Sequence, residues 1–185
     1  GALRFGRIIA GIRCLGELNV HVYPQCSLVL MLVPSIGQAQ DFDKGVAAYL
    51  AKDYATALSE WMPLAELGDP KAQHNIGEIY RLGLGLSQDY SLALKWFRRA
   101  SEQGNAKAQN NLGAMYANGF GVPQDEAEAL RLYLLAAEHG DLKAQLNLAN
   151  RYDEGKGVTK DAAAAAHWYR TAAEQGYSVA QFFSG

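Results

Sequence analysis

The chain predicts an all-α solenoid of antiparallel helix pairs, and three observations carry that expectation. Gly68, Gly104, Gly140 and Gly176 stand 36 residues apart, and the intervals between them repeat in step. Within each interval, apolar residues fall twice at helical spacing, first in one run and then in a second. An aspartate recurs at Asp53, Asp89, Asp125 and Asp161, where each second run opens. A fixed period of this size marks stacked supersecondary units, none of which buries its apolar face alone. Strand-type alternation is absent over any useful length.

Residues 1–39 lack the repeat. They hold the longest uninterrupted apolar stretch, Leu28 to Val33, preceded by Arg4, Arg7 and Arg13 and followed by small residues at Gly37 and Ala39. That order predicts an export signal cleaved after Ala39, and hence a periplasmic or secreted protein, cytoplasmic if the leader is not a signal. Even extended by Pro34 and Ile36, the run is about half of the ~20 residues that a spanning helix needs.

Residues 41–67 form an initial hairpin, with helices expected over 42–52 and 55–67. Its Ala57, Trp61 and Leu64 align with the second-helix stripe of the later units. The three full units follow at 68–103, 104–139 and 140–175.

In the first unit Ala72, Ile76 and Tyr80 make one stripe, with Gly77 beside Ile76. Gly83 closes that helix, since a residue there takes the left-handed conformation. The second helix starts at Asp89, whose carboxylate caps free N–H groups at the positive end of the helix dipole. It continues through Ala93, Phe97 and Ala100.

The same positions recur as Ala108, Leu112, Gly113 and Tyr116, then Ala144, Leu148, Ala149 and Tyr152. The second-helix stripes recur as Ala129, Tyr133 and Ala136, then Ala165, Tyr169 and Ala172. Residues 176–185 begin another first helix with Ala180-Gln181, a partial repeat or terminal helix. Its Phe182 and Phe183 offer an apolar end through which a second copy is expected to associate.

The bulk numbers remove several classes of function. A net charge of −2 over 185 residues gives no basic nucleic-acid footprint. Cys14 and Cys26 both precede the repeats, so the array holds no thiol for a disulfide, a metal site or a nucleophile. His21, His74, His139 and His167 are scattered without metal-ligand spacing. No nucleophile-elbow or Ser-x-x-Lys arrangement occurs. The Gly83-Leu84-Gly85 turn follows a helix rather than a strand and lacks a following Gly-Lys, so it is no phosphate loop. The expectation is a binding protein with no cofactor, no metal and no catalysis.

The central unit reads Ala108-Gln109, Asn111-Leu112-Gly113, Tyr116, Gly119-Phe120-Gly121-Val122 and Asp125. This pattern resembles Sel-1-like repeats, a branch of the tetratricopeptide superfamily, over about residues 41–185. The resemblance implies a right-handed superhelix whose first helices line a concave groove, acting as an adaptor or scaffold for a protein or peptide. Some cysteine-rich bacterial relatives bind or slowly hydrolyse β-lactams, and the cysteine-free repeats here depart from that subgroup.

By the same resemblance, the concave side of the first helices carries Lys71, His74, Glu78 and Arg81, then Lys107, Asn110, Ala114 and Asn118, then Lys143, Leu146, Asn150 and Asp153, and all but the lysine vary between units. The lysine column Lys71, Lys107 and Lys143 suits a carboxylate-bearing peptide.

Positions that recur between units should hold the stack together. These are Gly68, Gly104, Gly140 and Gly176; Gly77 and Gly113; Tyr80, Tyr116 and Tyr152; and Asp89, Asp125 and Asp161. The recurring asparagines (Asn75, Asn111, Asn147) and glutamines (Gln73, Gln109, Gln145, Gln181) are expected to bond backbone at the seams. Trp96 and Trp168 sit one position off the second-helix stripe. They are expected in the core or at a seam, and otherwise as an exposed contact patch.

Overall fold

A computed structural model describes residues 41–175. The expected export leader, Gly176, Gln181 and the Phe182-Phe183 end lie outside the described residues. Among the described residues eight helices follow one another: α1 (Phe42–Leu50), α2 (Tyr54–Glu66), α3 (Pro70–Leu82), α4 (Tyr90–Glu102), α5 (Ala106–Asn118), α6 (Glu126–Glu138), α7 (Leu142–Glu154) and α8 (Ala162–Glu174). No strand occurs among the described residues. Each helix packs mainly on the helices before and after it in sequence, which is the arrangement of an all-α repeat solenoid.

Local chemistry explains the boundaries. Every helix opens on an aspartate or asparagine whose side chain accepts from the first-turn backbone: Asp41, Asp53, Asp69, Asp89, Asn105, Asp125, Asp141 and Asp161. First helices α3, α5 and α7 end on a left-handed glycine (Gly83, Gly119 or Gly155), where other residues are strained. The two backbones are then tied together. Asp89, Asp125 and Asp161 each donate N–H to the carbonyl of Tyr80, Tyr116 or Tyr152 at 2.9 Å. The initial hairpin turns earlier than expected. Lys52 takes φ 63° and Asp53 caps α2, so α1 stops at Leu50 and α2 starts at Tyr54.

Within a hairpin, a small residue on the first helix receives a ring from the second. A Cβ on Gly77 would lie 2.6 Å from Phe97, and one on Gly113 would lie 3.0 Å from Tyr133. Gly45 faces the Trp61 indole in the same way. Between hairpins, Ala93, Leu94, Phe97 and Ala100 of α4 form one core with Ala108, Leu112 and Met115 of α5 and Leu132 of α6.

Trp96 is 5% exposed and belongs to the core built by α2 and α3, and Trp168 packs on the core of α5, α6 and α7. Both tryptophans therefore seal seams, and no exposed tryptophan patch exists among the described residues. One period before Trp96 stands Glu60. It is paired instead with Lys44 and accepts from the Asp41 N–H at 3.4 Å. The position that carries Trp96, Leu132 and Trp168 in the three units thus carries a carboxylate in the initial hairpin.

Candidate functional site

The recurring glutamines hold three pieces together in each unit. Gln73, Gln109 and Gln145 are buried, and each donates its amide N–H to a carbonyl at the end of the preceding second helix. The acceptors are Ala65 O (2.9 Å), Ser101 O (3.3 Å) and Ala137 O (3.2 Å). Their oxygens face the C-cap of their own second helix. Gln103 donates to Gln73 and Gln175 to Gln145, each at 2.8 Å, and the His139 ring nitrogen lies 3.2 Å from Gln109 Oε1. A buried amide with both ends satisfied adds directional hold to an otherwise alanine-rich seam.

The asparagines behave differently from the expectation of backbone bonding. Asn111 Nδ2 donates across the seam to Glu78 Oε1 (2.8 Å) and reaches His74 Nε2 (3.1 Å), while Asn147 Nδ2 donates to Asn110 Oδ1 (2.9 Å). These partners are side chains on the neighbouring first helix. The varying positions of one helix provide the acceptors for the constant asparagine of the next.

The candidate binding residues consequently separate into two groups. His74, Glu78 and Arg81 are half-buried and tied together. Arg81 grips Glu78 with two parallel bonds of 2.9 and 2.8 Å, and that grip raises the guanidinium pKa further. His74 Nδ1 sits 3.1 Å from Asn75 Oδ1, its ring centroid lies 5.9 Å from that of Phe97, and burial pulls its pKa below 6.5.

Asn110 is only 6% exposed, because it is closed into the seam against α7, so it is not presented to a ligand. Asn118 caps its own helix by donating to Ala114 O at 2.7 Å, and Asn150 accepts from the Tyr169 hydroxyl. Lys71, Lys107, Lys143 and Asp153 are exposed. Among the described residues the three lysines make no ion pair or hydrogen bond, whereas Asp153 has Lys160 at 3.9 Å. One cation per repeat, at the second position of α3, α5 and α7, is thus left without a partner among the described residues.

Two features escaped the sequence reading. Arg151 of α7 pairs with Glu126 of α6 and lies over the Tyr133 ring, 5.6 Å from its centroid. Beside α8 is a cleft of about 540 Å³ lined mainly by Ala162, Ala165, Ala166, Tyr169 and Ala173, with Asp153 and Arg170 at its edges. The corresponding faces of α4 and α6 are covered by α5 and α7. No group of histidine, cysteine or carboxylate side chains able to hold a metal occurs among the described residues. None of the described helices is long and apolar enough to cross a membrane.

The Sel1 repeat model matches three times without a gap, at residues 70–105, 106–141 and 142–177. The chain belongs to the Sel1 repeat family. Each match of the Sel1 model begins at or next to the first residue of α3, α5 or α7.

Among solved structures, the chain is similar to the Sel1 repeat protein from Oxalobacter formigenes (38% identity, TM-score 0.70). That similarity covers 74% of this chain and 56% of the other. It is equally similar in sequence to a protective antigen present in uropathogenic Escherichia coli strains displaying an SLR fold. There the identity is 38% and the TM-score 0.69, covering 73% of this chain and 30% of that one. The chain thus spans a little over half of the first relative and under a third of the second.

Helicobacter pylori cysteine rich protein B shares the fold at 19% identity and TM-score 0.53, covering 77% of this chain and 94% of that one. No functionally curated protein matches the chain. Sel1 repeat proteins generally serve as protein-interaction scaffolds.

Proposed function

We propose that this Sel1 array binds an extended peptide or a segment of a partner protein along the face of α3, α5 and α7, without catalysis. One observation carries the reading. On a face whose other polar groups are largely tied to one another, Lys71, Lys107 and Lys143 are exposed and have no partner among the described residues, one per repeat. A ligand with carboxylates at matching intervals meets these cations without breaking any internal bond. The face is pre-formed, so little ordering opposes binding. Export of the array is supported by the Leu28–Val33 run with Gly37 and Ala39 behind it.

Selection from a random displayed-peptide library tests the binding. The reading expects enriched peptides to be acidic, and Lys71→Ala/Lys107→Ala/Lys143→Ala to weaken them at least about tenfold. That loss corresponds to about 1.4 kcal/mol and is larger at low salt, where exposed charges are less screened. Enrichment of neutral peptides indifferent to the triple variant contradicts it.

Self-association is a second reading, supported by the cleft beside α8 among the described residues. Light scattering across concentrations is then expected to show a dimer that Ala166→Glu abolishes. A concentration-independent monomer removes this reading.

A further inference from the structure

We propose that His74, Asn111 and Glu78 form a pH-sensitive latch across the seam between the first two Sel1 repeats, closed at neutral pH and opened by acid. The Asn111 amide nitrogen faces two groups at once, Glu78 Oε1 at 2.8 Å and His74 Nε2 at 3.1 Å. An amide NH2 only donates, so Nε2 is the bare, accepting nitrogen of the ring. The ring proton therefore sits on Nδ1 and is donated to Asn75 Oδ1 at 3.1 Å. Turning the Asn111 amide over offers no escape. Its oxygen would then oppose the Glu78 carboxylate, which Arg81 holds in place with two bonds. The seam thus selects one neutral tautomer of His74, and a second ring proton would point at the amide hydrogen that Asn111 aims at Nε2.

The charges facing His74 come from three elements. Glu78 on α3 and Asp141 at the start of α7 favour the imidazolium, and Lys107 on α5 opposes it. The α4 side presents the Phe97 ring. Burial is the largest influence and sets the direction, below 6.5. The sign follows from linkage. The folded protein binds this proton less readily than the unfolded chain does. The latch therefore contributes in full above pH 6.5, and its contribution is lost as pH falls from there through the depressed folded value. The latch stands independently of what the face binds.

Long-range 15N–1H correlation spectra of the imidazoles in the intact chain, from pH 8 to 4.5, test this, with His74→Gln identifying the signal. Glutamine can present an accepting oxygen to Asn111 but does not titrate. The expected result is an Nδ1–H tautomer with a midpoint below 6.5. In parallel urea unfolding, the unfolding constant of the native protein relative to His74→Gln rises about tenfold per unit of depression as pH falls. An Nε2–H tautomer, a midpoint at or above 6.5, or a ratio that is flat with pH overturns the latch. If His74→Gln does not fold, Asn111→Ala read by the same spectra takes its place. A midpoint moving toward 6.5 supports the latch, and an unchanged one overturns it.

Discussion

Phe97→Ala is expected to destabilise the array by about 3–5 kcal/mol in urea unfolding, near the top of the range for a single core truncation. The ring is fully buried and belongs to the core shared by α4, α5 and α6, so its removal empties space that three helices line. It also fills the surface left open by Gly77, which makes the pair a direct check on hairpin packing. Gly77→Ala puts a methyl 2.6 Å from the Phe97 ring. Overpacking of that kind costs roughly 1–3 kcal/mol, against a gain of about 1 kcal/mol in helix propensity.

The sign of Gly77→Ala alone is therefore weakly destabilising. In the Phe97→Leu background, where the ring edge is gone, the same substitution is expected to become neutral or stabilising. Additive effects of the two substitutions would show that the packing is not what holds these helices together.

Gly157→Ala is expected to lose about 3 kcal/mol, whereas Gly140→Ala loses only about 1–2 kcal/mol. Both residues have positive φ, 73° and 82°, so both substitutions strain the backbone. They differ in surroundings. Nothing lies within 4 Å of a Cβ on Gly140, while one on Gly157 would collide with the backbone carbonyl of Glu126. That carbonyl belongs to the first turn of α6 and has no rotamer to retreat into. Gly121 makes the same approach to Tyr90 at the start of α4, 2.7 Å from its Cβ, so the contact is a register mark of the repeat. Equal losses at the two positions, read from urea midpoints, would deny that this close approach sets the stacking.

Much of this fold can be read from the sequence, because the repeat multiplies each local signal. A lone Asp-x-x-x-Ala or a lone Gly-x-Gly says little, but the same residue at Asp89, Asp125 and Asp161 identifies a cap. The Ala-Gln pair is equally legible, since a buried glutamine repeated at 73, 109 and 145 needs the same carbonyl partner each time.

The polar face is less legible for a geometric reason. Its bonds do not join equivalent positions of the repeat. His74 meets Asn111 and Asn110 meets Asn147, one residue beyond the 36-residue period. Reading down columns of equivalent residues therefore presents His74, Glu78 and Asn110 as free to bind, when a diagonal neighbour already holds each of them. The lysine column survives because Lys71, Lys107 and Lys143 sit on exposed first turns, one turn before the residues that those diagonals join. Trp96 and Trp168 are ambiguous in sequence because a tryptophan one step off a stripe fits a seam or a surface equally well. Only the packing of one hairpin on the next decides between them.

The most direct measurement of the central claim is backbone amide shift mapping of the array titrated with a library-selected peptide. The account predicts that the largest changes fall on α3, α5 and α7, centred on Lys71, Lys107 and Lys143, and vanish in the triple lysine variant. Changes centred instead on α4 and α6, around Lys95, Arg99 and Arg131, would contradict it.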